Sequence, residues 1–262
     1  MKLDDFHYMH RGKRVAPLAA EDVGILSPIH RKNQGHRRAL LLLHGFGSSP
    51  AVYRRLIPSL SMYDCLVAPV LPGHGESIAA FSASRADDWL QCAVRACESL
   101  IGEYRHVDVM GLSLGGVLAY QLSQRFPLNH LYLLAPAFAL KSNVPLLLRA
   151  ARFMRMMGLT RITNYAGNIH TAGYPELTYR QTPINAIIEI LSLVKNFQFA
   201  PPTCPVDIFL GRYDEVIDSA SVAALFAELS DVRIHWLQHS AHVLPLDGDV
   251  EEIIACINEL CR

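Results

Sequence analysis

Six stretches of the chain are short, continuous apolar runs rather than alternating ones: "RALLLLH" at 38–44, "YDCLVAPV" at 63–70, "HVDVMGL" at 106–112, "HLYLLAP" at 130–136, "PVDIFLG" at 205–211 and "VRIHWLQ" at 232–238. A strand that is apolar on both sides is one covered on both faces, as in a parallel sheet. Between these runs the apolar positions recur at helical spacing, which predicts helices over about 51–61, 86–104, 114–126, 219–229 and 249–260. Strands alternating with helices predict an α/β fold, a mostly parallel central sheet with helices on both faces. The leading 37 residues fit this rhythm less well; "RVAPLA" and "VGILSPIH" are candidate antiparallel strands ahead of it.

Residues 137–203 break the alternation, with two helical stretches and no visible strand. "NVPLLLRAARFMRMMG" opens with Asn143 as N-cap and Pro145 in the first turn, and it stops at Gly158. "TPINAIIEILSLVKNF" has Thr182 as cap, Pro183 at the first helical position, and Ile184, Ile187, Ile188, Leu191 and Val194 on one face. The predicted organisation is a core made of residues 1–136 and 204–262, with 137–203 as a small helical cap inserted over the sheet. Most of the cap's apolar residues serve to hold it down. The first of its helices nevertheless carries more apolar surface than one buried face needs, adaptable methionines included. An apolar tunnel under the cap is expected, with Met154 and Ile188 as candidate substrate contacts.

Composition narrows the classes of function. A chain of 262 residues, 51% hydrophobic and 18% charged, can bury a large core and is ordinary globular material. Its formal net charge is zero, with no basic stripe to meet phosphates, which excludes a nucleic-acid partner. "MKLDDFHYMHRGKRV" lacks the apolar core of a signal peptide, and no run is long enough to span a bilayer. The three arginines of the first cap helix do not amount to a membrane anchor, so no stable membrane insertion is expected. Six cysteines without CxxC spacing read as reduced thiols. The expectation is a cytoplasmic protein.

Candidate chemistry centres on "VDVMGLSLGGVLAY", residues 107–120. Gly111-x-Ser113-x-Gly115 falls where a buried strand gives way to a helix, at the strand end where parallel α/β sheets bind ligands. That is the nucleophile-elbow pattern, in which a tight turn lifts a serine hydroxyl clear of the sheet. The helix beginning beside it aims free N–H groups at the same point. A serine hydroxyl needs a base, and the base needs an orienting acid, in the chain order serine, acid, histidine. "RYDEVID" offers Asp214, Glu215 and Asp218 after one strand, and "QHSAHVLPLD" offers His239 and His242 after the last. The histidine pair has no carboxylate at a familiar ligand spacing, so neither a metal nor a cofactor is expected.

"LLLHGFGSSP", "LPGHGES", "GLSLGG", "GRYDEVID" and "HSAHVLPLD", in that order, resemble the α/β-hydrolase superfamily, and within it the small bacterial carboxylesterases and monoacylglycerol lipases. The resemblance runs from about residue 38 to 262. It implies an α/β-hydrolase fold, Ser113 as nucleophile, His242 as base and Asp214 as acid. It also implies an oxyanion hole made by the N–H groups of Phe46 and Leu114. His44 and His74 are expected to order loops and His239 to lie aside. The implied substrate is a small-molecule acyl ester, a medium-chain ester or a monoacylglycerol. A thioesterase, a carbon–carbon bond hydrolase and a binding protein on the same scaffold are the alternatives, because fold alone never establishes function.

Overall fold

The computed structural model describes residues 3–260. In chain order the strands are β1 (Phe6–His10), β2 (Lys13–Pro17), β3 (Ile29–Lys32), β4 (Arg38–Leu43), β5 (Cys65–Ala68), β6 (His106–Leu112), β7 (His130–Leu134), β8 (Arg161–Thr163), β9 (Glu176–Tyr179), β10 (Gln181–Pro183), β11 (Val206–Gly211) and β12 (Val232–Leu237). The helices are α1 (Ile78–Ala83), α2 (Ala86–Glu103), α3 (Leu114–Ser123), α4 (Val144–Met156), α5 (Ile184–Lys195), α6 (Ser219–Phe226) and α7 (Val250–Leu260).

The main sheet runs β12-β11-β7-β6-β4-β5-β3, with β3 antiparallel to β5 and every other pair parallel. All residues of β7 and β11, and all but the first of β4 and β6, are buried. That is why these strands read as unbroken apolar runs. Edge strand β3 instead alternates half-buried and exposed positions. From β4 the chain moves outward to β5, then returns to the other side of β4 as β6 and continues to β12. The order therefore reverses between β4 and β6. Loops leaving their carboxyl ends diverge there and open a crevice.

Several expectations need correcting. No α-helix spans 51–61; two short 3-10 turns, Pro50–Tyr53 and Ile57–Ser59, occupy it. Pro58 has no N–H to donate, and inside a helix its ring would collide with the carbonyl of Arg54. Residues 137–203 do contain strands: β8 pairs with β10, and β9 pairs with β1 in a separate sheet completed by β2. These strands have three or four residues each, and their partners are remote or equally short, so no local periodicity reveals them. Thr182 and Pro183 belong to β10, and α5 starts one residue later, at Ile184. Of the two leading candidates, "RVAPLA" contributes to β2, which joins the small sheet, while residues 23–26 of "VGILSPIH" lie in a 3-10 turn (Ala20–Leu26) and β3 begins at Ile29. The first cap helix is as expected: Asn143 accepts from the Leu146 N–H at 3.0 Å, and Gly158 follows the end at φ +83°.

One cluster of apolar residues fills both faces of the main sheet. A second, smaller one lies between α4 and α5, where Leu148 and Ala151 meet Ile184, Ile188 and Leu191. At the amino ends of the strands two buried aspartates are fully partnered. Asp108 on β6 accepts from Arg38, Tyr63 and Asn129. Asp207 on β11 meets His130 at 2.7 Å, Arg233 at 2.8 Å and His235 at 2.5 Å. Burial alone would raise the Asp207 carboxyl, but hydrogen bonds from His130, His235 and Arg233 outweigh it and hold it well below the usual carboxylate range. Its stabilising contribution is therefore complete above the unfolded value, about pH 4, and is lost as acid protonates it. Asp207→Ala is expected to lower unfolding free energy by about 3 kcal/mol in urea titrations at pH 7, since it strands buried partners. A loss that does not shrink in acid would contradict this account.

Candidate active site

Ser113 sits between β6 and α3 at φ +54° and ψ −112°, a conformation costing about 1–3 kcal/mol for a residue with a side chain. Hydrogen bonds hold it there. Its N–H donates to Leu134 at 2.9 Å, and its carbonyl accepts from Gly116 at 3.0 Å and Ala137 at 3.1 Å. The flanking glycines are required by contact. A Cβ on Gly111 would lie 2.1 Å from the Gly115 carbonyl oxygen, and one on Gly115 would lie 1.9 Å from that of Leu43. Leu114, fully buried, is the first residue of α3, so its N–H belongs to the unpaired first turn beside Ser113.

His242 lies in the loop after β12, and its Nδ1 is 2.9 Å from Asp214 Oδ2. Asp214, in the loop after β11, is itself fixed, because Oδ1 accepts from the N–H groups of Val216 at 2.7 Å and Ile217 at 2.8 Å. Burial would lower the His242 imidazole, but the Asp214 charge, its hydrogen bond and the Glu176 carboxylate together raise it above its ordinary value. For Asp214, burial acts upward, and the His242 charge with three hydrogen bonds brings the carboxyl below its ordinary value. The pair is thus poised as carboxylate and histidine.

A cavity of about 250 Å³ brings these groups together: Ser113, His242, Gly45 and Phe46 line it. Its apolar wall includes Leu140, Ile190, Leu191, Val194 and Val216, and a polar part includes Asn164, Asn168 and Glu176. The Phe46 ring packs toward His74, Phe81 and Trp89. His44 accepts from the Leu71 N–H at 3.0 Å through Nε2, so Nδ1 carries the proton and meets the Gly45 carbonyl at 2.9 Å. Burial holds His44 at about 4, neutral and structural, and His74 is buried beside it.

The other sequence candidates lie elsewhere. Exposed His239 meets Asp249, Asp218 caps α6, and Glu215 contacts Asn168. Met154 and Ile188, expected as substrate contacts, belong instead to the α4–α5 cluster. Their side of the helix faces the neighbouring helix, while Ile190 and Val194 of α5 turn toward the cavity and Leu191 borders both. Among the described residues one donor set has metal-ligand spacing, Asp207, His235 and Cys256. It lies around the amino end of β11, opposite the cavity, and Asp207 is already saturated by Arg233 and two histidines.

Three residues escaped the sequence reading. Glu176 of β9 is buried in the cavity wall and accepts from Gly167 N–H at 3.0 Å; burial raises its pKa, against that bond and the charge of His242. Asn168 takes the His242 and Val243 N–H groups on its backbone carbonyl and the Glu215 N–H on its side chain, so it ties the loops after β11 and β12 together. Asp247, buried, accepts from Ala241, His170, Thr171 and Gly248 N–H groups and fixes the loop carrying His242. Only Asp247 had a visible signal, as the last residue of "HSAHVLPLD".

The profile of the family described as "Alpha/beta hydrolase family" matches residues 40–255. A carboxylesterase of Bacillus subtilis (strain 168) is 25% identical over 224 residues, covering 82% of this chain and 89% of the relative. A thermostable monoacylglycerol lipase of Bacillus sp. (strain H-257) is 26% identical over 221 residues, covering 82% and 86%. Among solved structures, one of the metagenome-derived lipolytic enzymes LipS and LipT matches with a TM-score of 0.81 at 26% identity, covering 90% of this chain and 97% of that one. A soluble variant of monoglyceride lipase from Saccharomyces cerevisiae matches in fold, with a TM-score of 0.74 at 15% identity over 89% of this chain and 90% of that one.

The electrostatics of the pair give a titration that can be measured directly. The His242 imidazole should titrate above 6.5 by NMR, and Asp214→Asn should bring its midpoint below that value, because burial then dominates. A raised histidine pKa adds stability that is complete below the unfolded value and lost as pH rises through the folded one. A midpoint unmoved by Asp214→Asn would mean that the 2.9 Å contact does not set it.

Proposed function

The chain belongs to the alpha/beta hydrolase family, and we propose that it is a serine esterase acting through an acyl-enzyme on Ser113. The observation that carries this reading is the convergence, in one cavity, of a strained serine at a helix start with a histidine that is already paired to a buried carboxylate. The carboxylesterase and monoacylglycerol lipase relatives support ester hydrolysis by an α/β hydrolase.

In the proposed reaction, Asp214 holds Nδ1 of His242, which leaves Nε2 as the basic nitrogen. Nε2 takes the Ser113 proton as Oγ attacks the ester carbonyl. The N–H groups of Phe46 and Leu114 receive the oxyanion. Collapse expels the alcohol, protonated by His242, and leaves the acyl group on Oγ. Water then gives a proton to His242 as its oxygen attacks the acyl carbon. Collapse breaks the bond to Ser113 Oγ, which takes that proton back as the acid leaves. Neither a metal nor an organic cofactor has a part in these steps.

The substrate proposed is a medium-chain ester or a monoacylglycerol. Leu140, Ile190, Leu191, Val194 and Val216 suit an acyl chain, and residues 137–203 act as the cap that supplies four of these five side chains. Glu176, Asn164 and Asn168 offer hydroxyl-binding groups of the kind a glycerol leaving group needs.

Treatment with a fluorophosphonate should place one adduct on Ser113. Ser113→Ala should lose the adduct and reduce ester turnover by at least about 1000-fold. The rate should fall as pH drops through the raised His242 pKa, since only neutral imidazole is a base. A panel of p-nitrophenyl esters, monoacylglycerols and acyl-CoA thioesters tests the class; faster thioester turnover would overturn the ester reading. Glu176→Leu should lower kcat/KM for a monoacylglycerol about 10-fold more than for the p-nitrophenyl ester of the same acid, the effect of about one lost hydrogen bond to a charged group. Equal losses on both would remove Glu176 from alcohol recognition.

A further inference from the structure

Helix α4 has one face too many to be explained by packing. Leu148 and Ala151 are its buried residues, facing α5. On the far side Leu146, Phe153, Met156 and Met157, with Leu147 and the following Leu159, are between 42% and 74% exposed. Six large apolar side chains open to water on one helix and the turn after it cost solvation free energy unless something covers them.

Charge indicates what that cover is. Arg149, Arg152 and Arg155 follow one another at three-residue spacing and so form a ridge along the flank of the apolar face, and Arg161 lies just beyond Leu159. All four are exposed, and among the described residues none of their side chains makes an ion pair or hydrogen bond. From 142 to 175 there is no Asp or Glu at all. Within 137–203 seven Lys and Arg stand against two acids, in a chain whose total is balanced. Both acids are occupied: Glu176 is buried, and Glu189 accepts from the Ala86 N–H.

We propose that the outer face of α4 is a docking surface for an anionic lipid bilayer. The apolar side chains enter the headgroup boundary and the arginines meet lipid phosphates, the arrangement of an amphipathic helix lying in the interface. Attachment is reversible, because one such helix with three arginines, and a fourth beyond its end, is far from an inserted segment, and no described helix is long and apolar enough to cross a membrane. The placement is useful for a lipid-handling protein. A few residues after Arg161 the chain reaches Tyr165, which is exposed and borders the cavity that holds Ser113, so the docked face and the cavity rim are continuous in the chain. The inference does not depend on the reaction catalysed.

Sedimentation of the full chain with vesicles tests it. Binding is expected to vesicles of phosphatidylcholine containing about a third phosphatidylglycerol, and not to phosphatidylcholine alone. It should be lost in 1 M salt, where the screening length falls to about 3 Å. The triple variant Arg149→Glu, Arg152→Glu, Arg155→Glu should weaken it by about 100-fold or more, at roughly five-fold for each arginine removed. Phe153→Ser with Met156→Ser should weaken it too, although every arginine remains. Unchanged thermal melting of both variants would place their effects at the surface and not in the fold. Equal binding to both lipid compositions, or none to either, overturns the proposal. So does a dimer in sedimentation velocity that Phe153→Ser dissolves, because a second copy of the chain would then be the cover.

Discussion

The carboxyl edge of the sheet is organised by how closely the backbone of the elbow approaches β4. The Leu43 carbonyl lies where any side chain on residue 115 would have to go, and the Gly115 carbonyl lies where one on residue 111 would go. With two glycines there, α3 can begin directly behind the loop that follows β4. Phe46 and Ser113 are thereby brought to one cavity, with Leu114 opening the helix directly behind the serine. The strain at Ser113 is local and modest. It persists because both of that residue's backbone groups are bonded to the strand and loop of β7, so relaxing the turn would break bonds in the next strand as well.

The two ends of the sheet use buried carboxylates differently. At the amino ends, Asp108 and Asp207 each have at least three donors, and none of those donors faces the cavity. These groups satisfy one another and fix strand ends. At the carboxyl ends, Asp214 has two backbone donors on one oxygen and, among the described residues, only His242 on the other. A carboxylate fixed on one oxygen keeps the other oriented toward His242, whose pKa its charge and hydrogen bond raise. The sheet therefore separates the aspartates that hold strand ends from the one paired with the cavity histidine.

Much of this was legible in the sequence, for physical reasons that also mark the limit. Strands β4, β6, β7 and β11 are covered on both faces, so each leaves an unbroken apolar run with few alternative readings. Glycine at 111 and 115 is legible because nothing larger fits. Asp214 is preferred over Glu215 and Asp218 by the family resemblance together with its nearness to the strand end, since all three follow the same strand within seven residues. The choice between His239 and His242 needed that resemblance as well. Pro58 acts locally, so the break it makes in 51–61 is visible in that stretch itself. Glu176, Asn168 and the inward faces of Ile190 and Val194 depend on how distant segments meet, and no periodicity encodes that. Met154 and Ile188 illustrate the same limit: a helical stripe says which residues share a face, not which of two neighbours that face meets.

The least legible element, β9, is also the one through which the chain's beginning reaches the site. Phe6 to Met9 pair with Tyr179 to Glu176, so the leading hairpin supports β9 from outside. From β9, Thr178 donates to the Gly47 carbonyl in the loop after β4, and Tyr179 donates to the Gly73 carbonyl in the loop after β5. Glu176 accepts from Gly167, one residue before the Asn168 that grips the His242 loop. Three of four consecutive residues thus touch the segments bearing Phe46, His74 and, through Asn168, His242. The leading strands stand apart from the main sheet, but they are not peripheral to its chemistry. Their hydrogen bonds fix the depth at which a buried carboxylate faces the histidine.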